Sequence, residues 1–195
     1  MAKIIAIAGV VVLIGAGYWI FSKEKPLERS SQTKVILTFP RESTEEGRFI
    51  SLLAIAYAPE NVYPITRGQA SWETLEKAAQ SFFSANKADD SGWMTANFAA
   101  DEQDAVREML NDSEIRVRNK SYFVGFDYYV PRWKIPFKKG HLLIVLQFPG
   151  EQGYTVIDFK QTADGWKQTN ELAYDRDMAT ILSASEQGKI TEEVY

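Results

Sequence analysis

The spacing of hydrophobic residues changes about halfway along the chain. Between residues 43 and 110, apolar side chains recur every three or four positions, which is typical of helices. Helices are predicted from Ser71 to about residue 86, with Ser71 as the N-cap, and from Asp101 to about Leu110. An earlier helix is predicted after Ser43 and before Pro59. Its apolar residues would be Phe49, Leu52, Leu53, Ala56 and Tyr57.

From residue 114 onward the period is two, which favours strands. In residues 114–130 the alternation places one row on a single face: Tyr122, Val124, Phe126, Tyr128 and Val130. Pro131 and Pro136 are predicted to bracket a loop. Residues 141–149, "HLLIVLQFP", are apolar on both faces, as in a central strand.

The end of the chain contains the clearest hairpin. Residues 154–172, "YTVIDFKQTADGWKQTNEL", give two strand patterns around Ala163-Asp164-Gly165. A capped helix is predicted from about Asp175 to Gln187, followed by an acidic tail. A shorter apolar run, "KVILTFP" at residues 34–40, predicts one strand ahead of the helices.

The first part of the chain is predicted to meet a membrane. Residues 4–21 contain no charged side chain, and eighteen helical residues rise roughly 27 Å, about the thickness of a bilayer's hydrocarbon core. A single-pass anchor is expected, with a cleaved signal peptide or a buried core helix as the alternatives. The residues expected at the membrane interface are Tyr18, Trp19, Lys23 and Lys25.

The charges that flank the apolar segment bear on which side of the membrane the domain lies. Only Lys3 precedes the apolar segment, whereas Lys23, Lys25, Arg29 and Lys34 follow it, which favours a cytoplasmic domain by the positive-inside rule. Long domains, however, are translocated largely regardless of flanking charge. We therefore expect the domain outside the cytoplasm, in the periplasm of a bacterium.

These elements predict an α+β fold: an N-terminal transmembrane helix followed by helices packed in a curved, cone-shaped antiparallel sheet. The chain divides into a transmembrane anchor at 1–21 and a polar juxtamembrane linker at 22–33. A strand-helix addition follows at 34–69, and an α+β domain at 70–190.

Charge and composition exclude several classes of function. Beyond residue 21 the chain has 21 basic and 26 acidic residues, a net charge of 21 − 26 = −5, which disfavours nucleic acid as a partner. The absence of cysteine excludes disulfides, thiolate metal sites and thiol catalysis. With a single histidine and no phosphate loop or dinucleotide fingerprint, we expect no metal and no cofactor.

Three segments together carry a family resemblance. "SWETLEKAAQSFFSANKADD", "GWMTANF" and "VIDFKQTADGWKQTNEL" resemble, in order and spacing, the superfamily named after nuclear transport factor 2. The resemblance covers roughly residues 70–172. It implies the cone-shaped fold, which hosts both small-molecule isomerases, dehydratases and cyclases and non-enzymatic subunits, including bacterial envelope proteins on one anchor. Such a fold does not by itself define a function.

The resemblance also implies where chemistry would occur, since enzymes of that superfamily place a carboxylate or histidine inside the cone. Three residues are weak candidates for that role: Asp127, His141 and Asp158. The strand pattern places Asp127 on the outer face and His141 at the rim, beside a basic turn. Asp158 is either a buried base or a solvated or paired carboxylate.

Aromatic residues form the other candidate site, with two interpretations: they build the core of the sheet, or they form a pocket or partner surface. Trp133, between two prolines, is expected to be the most exposed of them. The residues of this predicted surface are Tyr122, Phe126, Tyr128, Trp133 and Trp166.

The sequence therefore predicts a membrane-anchored, non-catalytic binding or accessory subunit of a bacterial envelope assembly. Its expected partners are the bilayer, through residues 4–21, and other membrane or envelope proteins. The alternative is an enzyme or carrier for a small apolar molecule bound inside the cone.

Overall fold

The structure, a computed structural model, describes residues 33–41 and 49–195. The described residues belong to one compact unit. The predicted anchor, its interface residues and most of the linker lie outside the described residues. Within the described part of the chain, no helix combines the length and the apolar character needed to cross a bilayer.

The described chain starts with a strand pair. Strands β1 (Thr33–Pro40) and β2 (Phe49–Ala56) are antiparallel, with Ile36 opposite Leu53. In β1 every second side chain is buried, as expected for a strand with one face on the core. The buried side chains are Val35, Leu37 and Phe39.

Four helices follow the strand pair, after a short 3₁₀ turn at Arg67–Gln69. They are α1 (Leu75–Lys87), α2 (Ser91–Ala96), α3 (Gln103–Asn111) and α4 (Ser113–Val124). Side chains cap three of them by accepting hydrogen bonds from backbone N–H groups of the first turn: Thr74, Asp90 and Asp112.

The second half of the chain is a meander with a final helix and strand. Its strands are β3 (Val130–Pro136), β4 (Leu142–Gln147), β5 (Thr155–Thr162) and β6 (Gly165–Gln168). Helix α5 (Arg176–Glu186) and strand β7 (Thr191–Val194) follow.

The seven strands of the described residues join one antiparallel sheet in the order β6-β5-β4-β3-β2-β1-β7. Helix α5 lies on one face, where its apolar side packs against β1, β2 and β5. Helix α1 and its neighbours lie on the other face. The α5-side core includes Leu37, Trp133, Ile135, Leu143, Leu172 and Ile181, and the α1-side core includes Phe83, Tyr129, Ile144, Phe148 and Phe159.

The predicted fold class is therefore wrong. One strand was expected ahead of the helices, and the helices were expected inside a cone-shaped sheet, but the strand pair β1 and β2 precedes the helices and β7 follows the last one. Because the central strands β4 and β5 bury side chains on both faces, they need helices on both sides. The result is a mixed α+β fold with helices on both faces of the sheet. The transmembrane part of the prediction falls on residues that the structure does not describe.

Two predicted elements have the wrong type. Residues 49–56 form β2 rather than a helix, because they pair with β1 along their whole length and then with β3. Residues 113–124 form α4 rather than strands, because Asp112 caps the helix and Phe123 packs into the α1-side core. The predicted loop between Pro131 and Pro136 is also wrong, since both prolines lie within β3.

Other predicted elements are confirmed. The closing hairpin is present as β5 and β6, with Thr162 opposite Gly165 across a two-residue turn. Residues 142–147 form a central strand, and helices α1, α3 and α5 lie close to their predicted positions. The N-cap of α1 is Thr74 rather than Ser71. The acidic tail contributes β7 to the sheet.

Candidate functional site

The structure brings together two of the three candidate catalytic residues. A 3₁₀ turn at Lys138–Gly140 delivers His141 to the start of β4, and Asp158 lies on the adjacent strand β5. The Nδ1 atom of His141 lies 2.9 Å and 3.0 Å from the two carboxylate oxygens of Asp158. An ionised carboxylate can only accept hydrogen bonds. This contact therefore assigns a proton to Nδ1 of His141, which donates it to Asp158.

The other ring nitrogen faces a second carboxylate. His141 Nε2 is buried and makes no hydrogen bond within the described residues, but it lies 3.4 Å from Oε2 of Glu171. The same oxygen of Glu171 is 2.5 Å from Nζ of Lys160. Glu171 comes from the turn that joins β6 to α5, so the cluster links the sheet to the start of the last helix.

The rim of this cluster contains another carboxylate. Glu102, which precedes α3, accepts hydrogen bonds from the Thr169 hydroxyl and from the backbone N–H of Asn170. The backbone N–H of Thr169 in turn donates to the carbonyl of Asp158. The segment between β6 and α5 is therefore held by Glu102 on one side and by the His141 cluster on the other.

The carboxylates of the cluster differ in their electrostatic environments. Burial raises the pKa of Asp158, and the hydrogen bond from His141 opposes that shift. The neighbouring anions Glu102 and Glu171 raise it further. The pKa of Glu171, in contrast, is lowered, chiefly by its hydrogen bond with Lys160.

A histidine paired to an aspartate is the arrangement of a general base, but such a base must reach its substrate. Here the His141 side chain is 1% exposed, and Glu171 stands over Nε2. The arrangement does not present a nitrogen of the ring to a bound molecule.

His141 was expected at the surface, and that expectation is wrong. The basic turn before it, Lys138 and Lys139, is exposed, but the chain then turns inward into β4. Asp127, the third candidate, does not belong to this cluster. Its side chain is 92% exposed and lies 3.3 Å from Nζ of Lys87, which agrees with the outward orientation predicted for it.

The predicted aromatic surface is divided between different environments. Trp133, expected to be exposed, is 3% exposed in β3 and packs edge-on against Tyr154, with ring centroids 5.0 Å apart. Its indole N–H donates to Glu192 of β7. The prediction failed because the flanking prolines do not form a loop, so Trp133 faces the α5-side core.

The other members of the predicted surface do not share a strand face. Tyr122 lies in the last turn of α4, and the centroid of its ring is 5.3 Å from that of Phe126 in the turn after the helix. Tyr128 contacts Tyr63 at 5.8 Å. Trp166, on β6, is partly buried against the α1-side core. Tyr122 is 41% exposed, so these residues have different exposures as well as different positions and do not form the single strand face that was predicted.

The structure exposes a different apolar surface, on the side of β1 and β2 that faces away from α5. This hairpin face consists of Ile36, Phe49, Leu53 and Ile55. Phe49 is 63% exposed and Leu53 is 50% exposed. Ile36 and Leu53 are direct cross-strand neighbours, and Phe49 lies on the same face beyond the polar pair Thr38 and Ser51. Sequence reasoning missed this face because it assigned residues 49–57 to a helix.

Two shallow depressions lie elsewhere, on the helices. One of about 380 Å³ lies between α2 and α3, lined by residues that include Gly92, Thr95 and Arg107. The other, of about 490 Å³, lies on α4 beside Val117 and Arg118. Neither touches His141, Asp158 or Asp127. In residues 33–41 and 49–195 no cluster of three or more His, Asp or Glu side chains is placed to hold a metal ion.

Comparison with known proteins gives no further guide, since the chain matches no protein-family model, no curated protein and no solved structure. The resemblance to the nuclear transport factor 2 superfamily stays a prediction.

Proposed function

We propose that this chain is a non-catalytic binding subunit, held at a membrane by its apolar segment at residues 4–21, and that the hairpin face contacts a protein partner. The observation that carries the proposal is the exposure of Phe49 and Leu53 on the sheet face that also holds Ile36, the cross-strand neighbour of Leu53. Large apolar side chains grouped on a surface are typical of protein interfaces.

The position of this face also supports the proposal. It belongs to β1, and the linker that follows the apolar segment leads directly into β1 at Thr33. A domain held at a membrane meets other membrane proteins at a raised effective concentration, so a modest apolar face can be enough for association. The net negative charge beyond residue 21 argues against nucleic acid as the partner.

We further propose the setting predicted from the sequence: an accessory subunit of a bacterial envelope assembly, with the domain on the periplasmic side of the inner membrane. Protease accessibility in spheroplasts tests the side. Digestion of the domain in intact spheroplasts is expected, whereas protection until the membrane is opened would place the domain in the cytoplasm.

Site-specific photocrosslinking in the native membrane tests the binding face. Ser51 lies on the hairpin face between Phe49 and Leu53, and Ala179 is an exposed residue of α5 on the opposite side of the sheet. A photoreactive residue at position 51 is expected to yield one defined protein adduct, identified by mass spectrometry, while position 179 gives none.

A matched double variant decides whether the apolar side chains cause the contact. Phe49→Ser with Leu53→Ser is expected to abolish the adduct at position 51 and to leave the thermal unfolding temperature nearly unchanged, because both side chains are already largely in solvent. Equal adducts at positions 51 and 179, or an adduct that survives the double substitution, would overturn the proposal.

A further inference from the structure

The two outer edges of the sheet differ in how their backbone groups are paired. At β6 the chain itself closes the edge. The backbone N–H of Trp166 donates to the carbonyl of Trp72 at 2.7 Å, and that of Gln168 donates to the carbonyl of Asn97 at 2.8 Å. The carbonyl of Gln168 accepts from the N–H of Ala99 at 3.0 Å. At β7, in contrast, no described strand pairs with the outer edge.

The register of β7 shows which backbone groups lie on that edge. The N–H of Tyr195 donates to the carbonyl of Lys34 at 3.0 Å, so the backbone of Tyr195 faces β1. Because alternate residues of an antiparallel ladder face the same neighbour, Glu193 also faces β1. Glu192 and Val194 therefore face away from β1, and each presents one N–H donor and one C=O acceptor at the outer edge.

The side chains give this edge a definite charge. Strand β7 contains two glutamates and no basic residue, and all of its residues are exposed. Glu192 accepts the indole N–H of Trp133, whereas Glu193 lies on the other face, beside Ile36 of β1. A strand that arrives at the edge therefore meets the carboxylate of Glu193, which favours lysine or arginine at the opposing position.

The same charge disfavours a second copy of this chain. Two antiparallel copies of β7 use both outward residues of each strand only if Glu192 of one copy is opposite Val194 of the other. That register places the two Glu193 side chains directly opposite each other, and like charges in that position are destabilising. Charged side chains on an edge strand are a common protection against self-association.

We propose that the outer edge of β7 is a docking site for an extended basic segment of a partner protein, which adds to the sheet as a further strand. The backbone groups of Glu192 and Val194 supply the hydrogen bonds, and Glu193 selects a basic side chain. Val194, which is 78% exposed, offers an apolar contact on the opposite face of the added strand. This contact is made by backbone groups and does not depend on the hairpin face.

Titration of the ¹⁵N-labelled full chain in detergent with a capped peptide of alternating lysine and valine tests the site. Saturable shifts of the amide signals of Glu192 and Val194 are expected, with slower hydrogen exchange at both. The same peptide with methylated backbone nitrogens keeps its charge but loses its donors, so it is expected to bind about tenfold more weakly or less. Equal binding of the two peptides, or no saturable binding of the unmodified one, would overturn the proposal.

A matched pair of variants at Val194 tests the backbone groups of the chain itself. Val194→Pro removes an N–H that faces outward and leaves the pairing with β1 in place, as edge strands allow. It is expected to weaken binding of the lysine–valine peptide about tenfold or more. Val194→Thr keeps the N–H and the branched side chain, so a change of about twofold at most is expected. Equal weakening in both variants would refute the role of the backbone.

Two further controls separate charge from the hairpin face. A peptide of alternating glutamate and valine is expected not to bind, and equal affinity for both peptides would contradict a basic partner. Phe49→Ser with Leu53→Ser is expected to keep the binding of the lysine–valine peptide. Loss of binding in that double variant would place the peptide on the hairpin face and would overturn the proposal, whereas failure of the hairpin contact alone would leave the peptide result intact.

The full chain without peptide tests the other possible occupants of the edge. Fast hydrogen exchange is expected at Glu192 and Val194, together with sedimentation that Val194→Pro does not change. A dimer that Val194→Pro converts to a monomer would assign the edge to a second copy. Slow exchange at both amides in a monomer would assign it to another segment of this chain. Either result would contradict docking of a partner protein.

Discussion

Trp133 donates its indole N–H to a carboxylate oxygen of Glu192 at 3.0 Å, so a buried side chain of β3 depends on a residue of β7. Every residue of β7 is exposed, and among the described strands β7 pairs with β1 alone. The contact therefore ties the last strand of the chain to the α5-side core.

Glu192→Ala is expected to lower the free energy of unfolding by about 1–2 kcal/mol, because it leaves the Trp133 N–H without its acceptor. Urea denaturation followed by tryptophan fluorescence measures the loss. The neighbouring Glu193 lies on the opposite face of β7, so Glu193→Ala is the control and is expected to change stability by less than about 0.5 kcal/mol. Equal losses in both variants would show that strand propensity, not the indole contact, matters.

A buried polar network beneath α1 gives a second prediction. Ser81 accepts from the indole of Trp93 at 2.8 Å and donates to Asn97 at 2.8 Å. Ser81→Ala is expected to cost about 1–3 kcal/mol, since it leaves the indole N–H of Trp93 buried without its acceptor, while Asn97 keeps the hydrogen bond from the Trp72 indole. Thermal unfolding measures the effect. Ser121→Ala, on the exposed side of α4, should be nearly neutral, and a neutral Ser81→Ala would mean that water replaces the hydroxyl.

Gly165 opens β6 with a φ of 96°, and a Cβ at this position would overlap the carbonyl oxygen of Trp72. Gly165→Ala is expected to destabilise the chain by at least about 2 kcal/mol, from backbone strain and the overlap together. Gly68→Ala has open space around it and should be tolerated. Thermal unfolding of the two variants compares them, and equal unfolding temperatures would contradict the geometry of the hairpin.

The start of α5 predicts an acid-sensitive contact. Hydrogen bonding to Lys138, with backbone N–H groups, lowers the pKa of Asp175. Its contribution is therefore present above the ordinary pKa of an aspartate and is lost as pH falls through the lowered one. Asp175→Asn keeps a good N-cap but removes the charge.

The unfolding temperature of Asp175→Asn is expected to lie below that of the wild type at pH 7, and the difference should shrink toward pH 3. Asp127→Asn, at an almost fully exposed position, serves as the control. A difference that stays constant with pH would show that the cap, rather than the charge, carries the contribution.

Local signals were sufficient where neighbours in sequence determine structure. The hairpin of β5 and β6 was predicted because the turn at Ala163-Asp164-Gly165 needs a residue with positive φ and has a glycine there. Helix α1 was predicted because its apolar residues have helical spacing. Helix α5 was predicted together with its cap, Asp175.

Residues 49–56 and 113–124 could not be assigned in this way. "FISLLAIA" is apolar enough for either a helix or a strand, and pairing with β1 and β3 makes it a strand. Residues 113–124 alternate like a strand, but the helix forms because Asp112 caps it and Phe123 reaches the core. The Asp112 cap was the one sequence signal that could have indicated α4.

By itself the sequence determined the hairpin, the central strand β4 and the helices whose spacing and caps are local, because these depend on residues close together in the chain. It also indicated that Asp158 could be buried or paired. Only the tertiary structure decided that His141 is enclosed between Asp158 and Glu171, and that Phe49 and Leu53 are left exposed. Such facts depend on contacts between residues far apart in the chain, and the hydrophobic pattern of one segment does not specify which other segment will cover it.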